Sequence, residues 1–355
     1  MDPAALRAQF PVLREKAYLN AGTCGPLPDA AVQVATAAAR AAADEGRASS
    51  RWERLQELRP QIRAAYAERL RALPEDVALT SSTSEGVARV LIGLGIGEGD
   101  EVVTSDSEHP ALYGPLIAAR AGGATIRAVP LADVGDAVGP QTTLVACQHV
   151  DWRTGAVVPN LSEVRAPVLL DGAQGVGAVA TNVAALGCDF YAGSGQKWLC
   201  GPEGTGMLWV SPLWRDRLQP LGAGYLNLAE PSAGLDTEPW PDARAYDAPA
   251  IPLEAWEAAF AAHEVLTGFG WPNVHARATG LAAELAEKLH SRGRTVAPRG
   301  ETTLVTWEMP DSEEVPKRLA EQGIAIRSLP GTPYARASVG AWNDESDLER
   351  LLAAL

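Results

Sequence analysis

Strand-like and helix-like segments alternate through the first two-thirds of the chain, and this alternation restricts the fold more than any other feature. Short apolar runs predict strands at Asp76–Leu79, Glu101–Thr104, Ala124–Val129, Thr143–Ala146, Val168–Leu170, Phe190–Ala192 and Gly206–Val210. Helical periodicity predicts helices at 29–46, 52–72, 84–94 and 110–121. Strands joined by helices form a mostly parallel sheet with helices on both faces. We therefore expect an α/β domain.

The last third of the chain has a different pattern. Residues 211–252 are rich in Pro, Gly and Trp, which is typical of a long functional loop or a domain junction. Helices are predicted at 253–269, 272–293, 312–322 and 344–354, and strands at 302–308, 324–328 and 335–339. We expect a large domain over 1–250 and a smaller C-terminal α+β domain over 251–355.

Charge and apolar patterning exclude several classes of partner. The formal net charge is −14, without basic runs, which argues against binding to nucleic acid or to an anionic membrane. No apolar stretch reaches the length of a membrane span, and the first residues lack the apolar run of a signal peptide. We therefore expect a cytoplasmic protein.

The cysteines predict neither a metal site nor a disulfide scaffold. Cys24, Cys147, Cys188 and Cys200 lie far apart, without C-x-x-C spacing or clustered histidines. Cys147 and Cys188 sit in apolar runs and are interpreted as small buried residues. The exposure of Cys24 and Cys200 stays open.

Lys197 and Asp171 each follow a predicted strand. Val168–Leu170 places Asp171 at its carboxyl end, where open α/β sheets bind their ligands. Phe190–Ala192 is followed by the turn GSGQ and then by Lys197. Pyridoxal-5′-phosphate (PLP) needs an amine for a Schiff base and an anion beside its pyridine nitrogen. Either residue alone could be an ordinary turn or surface residue, but together they predict a PLP site.

The segment that contains these two residues resembles the class V aminotransferase family. The matching pattern is DGAQ and, after a spacer, SGQKW and GPEGTG. The similarity extends from Tyr18 to the C-terminus. The family includes cysteine desulfurases, cyst(e)ine C–S lyases, selenocysteine lyases and isopenicillin N epimerase. The resemblance implies the PLP-dependent transferase fold (aspartate aminotransferase-like, fold type I) with PLP as cofactor.

The resemblance also implies roles for the matching residues. Lys197 would bind PLP as a Schiff base and later act as the base for the α-proton. Asp171 would pair with the pyridine nitrogen, and Gln174 would approach the phenolic oxygen. Ser194 and Gln196 would bind the phosphate. The family usually has His at position 196, so Gln196 keeps a hydrogen bond but lacks a positive charge.

Two further motifs predict cofactor contacts. In VALTSSTSEGVARVLIGL, a helix begins with Thr83 or Ser84 as its N-cap, and helix N-termini bind anions. In the family, this turn binds the PLP phosphate, which implies that role for Thr83 and Ser84. His109 could be a helix cap, but the family's E-H motif implies that it stacks on the pyridine ring and transfers protons, as a near-neutral pKa allows.

The remaining motifs concern the cofactor at Trp152 and the substrate elsewhere. Trp152 is expected to contact the cofactor. It stands where many desulfurases have Asn, and a Trp there is similar to the C–S lyase and epimerase branches. Arg336 would bind the substrate α-carboxylate, because a guanidinium forms two parallel hydrogen bonds with a carboxylate. Arg327 is a second candidate. The N-terminal loop, YLNAGTCGPLP, matches the family's substrate loop and would contribute Asn20, Ala21 and Thr23.

One departure from the family pattern, a missing cysteine, favours some of the family's activities over others. Desulfurases carry a nucleophilic cysteine shortly before the final arginine, whereas this chain has SLPGTPYAR without a cysteine. The persulfide route of desulfurases is therefore disfavoured. We expect a PLP-dependent lyase that cleaves a C–S bond of cysteine, cystine or an S-substituted cysteine by β-elimination. An aminotransferase or epimerase of the same family, and a catalytically inactive PLP-fold binding protein, are the alternatives.

The resemblance alone implies a homodimer. The Trp-rich segment 211–252 is suited to an interface. The family has a threonine that reaches the partner's phosphate, and Ala248 stands at the closest position in this chain, so that contact is not assigned.

Overall fold

The computed structural model describes residues 1–47, 49–220 and 224–355. The helices are α1 (Pro3–Ala8), α2 (Asp29–Asp44), α3 (Ser49–Leu70), α4 (Thr83–Gly93), α5 (Pro110–Ala121), α6 (Val183–Leu186), α7 (Leu253–Phe269), α8 (Trp271–Ser291), α9 (Val315–Glu321) and α10 (Glu345–Ala354). The strands are β1 (Ala17–Tyr18), β2 (Val77–Thr80), β3 (Glu101–Ser105), β4 (Thr125–Val129), β5 (Thr142–Gln148), β6 (Val168–Asp171), β7 (Phe190–Ser194), β8 (Gly206–Val210), β9 (Leu304–Glu308), β10 (Ile324–Ala325), β11 (Arg327–Ser328) and β12 (Tyr334–Ser338).

The seven predicted strands of the first part form one sheet in the order β2-β8-β7-β6-β5-β3-β4. Neighbours from β7 to β4 pair in parallel, whereas β8 is antiparallel to both β7 and β2. The predicted mostly parallel α/β sheet is confirmed.

Alternate side chains of this sheet pack against helices on opposite faces. On β5, Val145 and Cys147 belong to the core that includes α3 and α7, while Leu144 and Ala146 belong to the core that includes α4 and α5. Both faces are therefore buried, which explains why the central strands are continuously apolar rather than alternating.

The sheet gathers the predicted site at one edge. Strands β2, β3, β5, β6 and β7 run in the same direction, so that their carboxyl ends meet. Thr83, His109, Trp152, Asp171 and Lys197 lie at or shortly after those ends. Ligands bind at this edge in open α/β sheets.

The C-terminal part contains a three-stranded antiparallel sheet, β11-β12-β9, and a separate parallel pair, β1-β10. The predicted single strand 324–328 is wrong, because β10 and β11 belong to different sheets. Ala17 pairs with Ile324 and Tyr18 with Ala325, so an N-terminal strand, which was not predicted, joins the C-terminal part. A domain boundary at residue 250 stays a prediction.

An ion pair strengthens this connection between the chain ends. Arg7 on α1 donates to the buried Asp347 on α10, with an Nη1–Oδ2 distance of 2.7 Å. Asn343 donates to the same carboxylate at 2.9 Å. The first and last helices are therefore held together by buried polar contacts.

Residues 211–220 and 224–252 contain short 3₁₀ turns and irregular backbone, as the Pro-rich composition predicted, and 221–223 lie outside the described residues. Among the described helices, none combines the length and apolar character needed to cross a membrane.

Candidate active site

A cavity of about 280 Å³ lies at the carboxyl edge of the large sheet, facing the C-terminal sheet. The predicted site residues that line it are Thr83, Ser84, His109, Trp152, Asp171, Gln174, Ser194, Gln196, Lys197 and Arg336. Arg327 and Thr23 line it as well. The fold thus brings together residues that are separated by more than half of the sequence, although their individual roles stay predictions.

The N-terminus of α4 forms one end of the cavity. Its N-cap is Ser82, whose Oγ accepts a hydrogen bond from the Glu85 N–H at 3.1 Å. The prediction of Thr83 or Ser84 as N-cap is therefore wrong by one or two residues, because Ser82 has the extended backbone that a cap requires. Thr83 and Ser84 instead occupy the first helical turn, where N–H groups lack partners within the helix.

Lys197 and Asp171 lie close enough to interact electrostatically. Burial lowers the pKa of Lys197 to about 8, although Asp171 opposes this shift. Burial raises the pKa of Asp171, and the Lys197 charge and a 2.9 Å hydrogen bond from the Ala173 N–H oppose that shift. The lysine is thus poised to lose its proton near neutral pH.

His109 faces the indole of Trp152 edge to face, with ring centroids 5.1 Å apart. Its Nδ1 accepts a hydrogen bond from the Ala111 N–H at 3.1 Å, so His109 is also the N-cap of α5. Burial, together with the charges of Lys197, Arg327 and Arg336, lowers the pKa of His109 to about 4. The expectation of a near-neutral pKa is therefore wrong, and His109 is an uncharged imidazole at pH 7.

Gln174 is fixed by two buried partners. Its Nε2 donates to the Gly22 carbonyl at 2.7 Å, and its Oε1 accepts from the Trp198 indole at 3.0 Å. Gln174 therefore ties the N-terminal loop to the segment that carries Lys197. A contact with the phenolic oxygen of a cofactor would use its second amide hydrogen.

Sequence reasoning missed Glu108, a fully buried residue directly before His109. Its Oε1 accepts hydrogen bonds from the hydroxyl and N–H groups of Ser105 and from the Gln148 N–H. Burial raises its pKa to about 8. Glu108 thus joins the ends of β3 and β5. Its position beside His109 could have indicated that Glu108 belongs to the site. It was missed because a carboxylate that follows a strand is not expected to be buried.

Arg336 and Arg327 face each other across the β11–β12 pair. Arg336 is fully buried and donates to the Trp152 carbonyl, while its Nε and Nη2 atoms have no partner among the residues that the structure describes. Burial and the Arg327 charge lower the pKa of Arg336 to about 9. Within the described residues, neither arginine forms a salt bridge. Like charges opposite each other are destabilising in a sheet. A bound anion would offset the repulsion between these two guanidinium groups.

The N-terminal loop differs from its prediction. Gly22, Thr23 and Cys24 line the cavity, whereas Asn20 and Ala21 are not among the lining residues. Asn20 accepts a hydrogen bond from the Thr23 hydroxyl at 2.8 Å, and Ala21 is fully buried. These two residues lie outside the cavity lining, because the loop reaches the cavity only from Gly22 onward. Their direct contact with a substrate stays a prediction.

The unpartnered groups of the cavity fit a phosphorylated pyridine aldehyde. Within the described part of the chain, the buried hydroxyls of Thr83 and Ser194 and the Gln196 amide oxygen have no hydrogen-bond partner. Together with the N-terminus of α4, the two hydroxyls can hold a phosphate. A buried carboxylate and an amine of lowered pKa, at Asp171 and Lys197, match the pyridine nitrogen and the aldehyde. The residues present therefore fit PLP.

Comparison with curated proteins gives related enzymes. Isopenicillin N epimerase of Amycolatopsis lactamdurans is 31% identical over 384 residues, covering 95% of this chain and 94% of that protein. A probable cysteine desulfurase of Methanothermobacter thermautotrophicus is 31% identical over 257 residues, covering 66% of this chain but only 63% of that protein.

Solved structures of related enzymes have a similar fold. The cystine C–S lyase C-DES, in complex with its reaction product cysteine persulfide, has a TM-score of 0.90 and 27% identity, covering 97% of this chain and 98% of that chain. A variant of C-DES with glycine covalently linked to the PLP cofactor has a TM-score of 0.91 and 26% identity over 98% of each chain. Residues 18–351 match the family described as aminotransferase class V. The chain therefore belongs to the class V aminotransferase family, and it has the fold type I architecture that its motifs predicted.

Proposed function

We propose that this protein is a PLP-dependent lyase that cleaves the C–S bond of cystine, or of a related S-substituted cysteine, by β-elimination. The cofactor is PLP, the cofactor of this family. Bound PLP stabilises the negative charge that is left when the substrate loses its α-proton. The protein's own residues must bind the substrate, remove that proton and keep water away.

The Arg327–Arg336 pair is the main support for cystine as the substrate. Arg336 holds the substrate α-carboxylate with its two unpartnered nitrogens. Arg327, directly opposite and half-buried, holds a second carboxylate at the far end of the substrate. Cystine has a carboxylate at each end, so both guanidinium charges gain a partner. The similarity to the cystine C–S lyase C-DES supports this choice.

The β11–β12 connection supports elimination over the desulfurase route. The Leu329 N–H donates to the Tyr334 carbonyl at 3.0 Å, and the Thr332 N–H donates to the Leu329 carbonyl at 3.2 Å. The connection is therefore a tight turn, and it contains no cysteine. A nucleophilic cysteine at this position, which would attack the substrate sulfur, is absent from the sequence.

Lys197 and His109 have different roles in the reaction, because Lys197 accepts a proton and His109 forms a hydrogen bond. Lys197, with a pKa of about 8, accepts the α-proton as a general base. The uncharged His109, whose Nδ1 already accepts from the Ala111 N–H, can donate a hydrogen bond from Nε2 without adding charge to a cavity that already holds two arginines. With cystine and one water molecule, the products are pyruvate, ammonia and cysteine persulfide.

An epimerase is a second candidate, because the isopenicillin N epimerase of A. lactamdurans aligns with nearly the whole chain. Returning the α-proton to the opposite face, rather than expelling sulfur, would give that reaction. The homodimer and the cytoplasmic location expected from the sequence stay predictions.

The PLP-loaded protein should convert L-cystine to equal amounts of pyruvate, ammonia and cysteine persulfide. Pyruvate is measured with lactate dehydrogenase, and persulfide by cyanolysis. Loss of optical activity without pyruvate would favour the epimerase instead. Accumulation of the pyridoxamine form would indicate an aminotransferase, and tight PLP binding without turnover of any amino acid would indicate a binding protein.

Schiff base formation should follow the lowered pKa of Lys197. Only the unprotonated amine adds to the PLP aldehyde, so the rate with PLP-free protein should rise about tenfold per pH unit and level off above about pH 8. Stopped-flow absorbance measures this rate. A rate that keeps rising to pH 10 would show that burial does not lower the pKa of this lysine.

A further inference from the structure

Cys24 is the one cysteine, among the described residues, that lines the cavity. Its N–H donates to the Asn20 carbonyl at 3.2 Å, and the Tyr18 hydroxyl donates to the Cys24 carbonyl at 2.9 Å. The next N–H, of Gly25, donates to the Gln196 carbonyl at 2.7 Å. Cys24 is thus held by hydrogen bonds beside the segment that carries Lys197.

The loop that contains Cys24 also lies against Arg336, the arginine proposed to bind the substrate carboxylate. A Cβ added at Gly22 would lie 2.9 Å from Arg336 Nη2 and 2.7 Å from Ser338 Oγ. Both of those buried atoms lack hydrogen-bond partners in residues 1–47, 49–220 and 224–355. A ligand that satisfies Arg336 therefore occupies the cavity that Cys24 lines. The Cys24 thiol is also close enough to Lys197 and Arg327, which line the same cavity, to feel their charges.

Glu203 gives the thiol a proton acceptor. The Cys24 Sγ lies 3.9 Å from Glu203 Oε1, and both residues line the cavity. Burial and the Glu203 carboxylate raise the pKa of Cys24, so the thiol is protonated at rest. Glu203 can take that proton when the sulfur attacks. A thiolate of high pKa is the stronger nucleophile once it has formed.

We propose that Cys24 takes the outer sulfur atom of the persulfide product and holds it as a Cys24 persulfide. This inference rests on the proposed function, because elimination of cystine supplies the persulfide. The Cys24 sulfur bonds to the outer sulfur, and the S–S bond of cysteine persulfide breaks. The electron pair of that bond and the Cys24 proton, passed through Glu203, leave with free cysteine. No oxidant is required, since one S–S bond replaces another.

The other three cysteines provide internal controls. Cys147 and Cys200 are fully buried, and Cys188 is 8% exposed with its thiol donating to the Val183 carbonyl. None of them lines the cavity. A sulfur transfer directed by the active site should therefore modify Cys24 and spare these three.

The experiment treats the PLP-loaded protein with L-cystine, blocks thiols and persulfides with iodoacetamide, and maps peptides by mass spectrometry. The expected result is one additional sulfur on the Cys24 peptide, removable by dithiothreitol, with pyruvate formed in the same sample. Cys24→Ser should lose all protein-bound sulfur, whereas Cys188→Ser should keep it. The visible Schiff base band checks that each variant is folded around its cofactor.

A second sample receives prepared cysteine persulfide in place of cystine, which separates the inference from the proposed function. Sulfur on Cys24 is expected here as well. Unmodified Cys24 in both samples would overturn the inference, even if pyruvate forms. Equal labelling of all four cysteines, or of none, would also overturn it. Absence of pyruvate in the first sample would contradict the proposed function, and the second sample would still decide the role of Cys24.

Discussion

Replacing Lys197 with alanine should abolish the Schiff base absorption and lower the rate of cystine elimination by about 10²–10⁴-fold or more, the range typical for a positioned general base. The amine is both the attachment point for the cofactor and the proposed base, and its pKa of about 8 suits the second task. A visible absorption spectrum and a pyruvate assay on the purified variant measure the two effects.

Lys317→Ala is the matched control, because Lys317 is exposed on α9 and forms a salt bridge with the exposed Glu314. It should keep the absorption band and the rate. A Lys197→Ala protein that remains yellow, and is reduced by borohydride, would place the Schiff base on a different lysine.

Replacing Arg336 with alanine should lower kcat/KM for cystine without changing PLP affinity. Truncating one partner of a buried charge pair costs about 2–5 kcal/mol, which corresponds to a loss of about 30-fold to several thousand-fold. Arg336 is fully buried and has two free nitrogens. The effect should therefore lie toward the upper end of that range. Steady-state kinetics and PLP titration measure the two quantities.

Arg327→Ala separates the roles of the two arginines. It should lower kcat/KM for cystine but leave S-methylcysteine, which has a single carboxylate, nearly unaffected. Arg336→Ala should weaken both substrates. If Arg327→Ala impairs both substrates equally, the two guanidinium groups share one carboxylate, and the assignment of a substrate with two carboxylates is wrong.

The large sheet and the positions of its site residues could be predicted because both depend on local patterns. Each buried strand is a short apolar run. Asp171 follows such a run directly, and Lys197 follows one after the turn GSGQ. Parallel strands place their carboxyl ends together, so these residues had to converge. The cap of α4 was displaced by one or two residues, because TSSTSE offers several hydroxyls that can cap and only the backbone angles of Ser82 select one.

The features that depend on distant contacts could not be predicted. Arg327 and Arg336 become opposite neighbours only through the turn that joins β11 to β12, and the sequence shows one run, 324–328, where the structure divides two strands between two sheets. The carboxylate beside the Cys24 thiol could not be predicted, since Glu203 lies far along the chain. The lowered pKa of His109 likewise results from charges on several separate elements.

The pairing of β1 with β10 has a consequence for biosynthesis. Tyr18 and Ala325 are neighbours in space, so the strand that leads to the Gly22–Cys24 wall gains its β10 partner only after Ala325 has been translated. At about 5–20 residues per second, roughly 300 residues of synthesis leave this segment unpaired on the ribosome for on the order of 15–60 seconds. The large sheet can form during that interval, but the cavity closes only after the C-terminal strands emerge. A nascent chain can therefore have its central sheet while its reactive lysine and thiol remain open to any small aldehyde or oxidant in the cell.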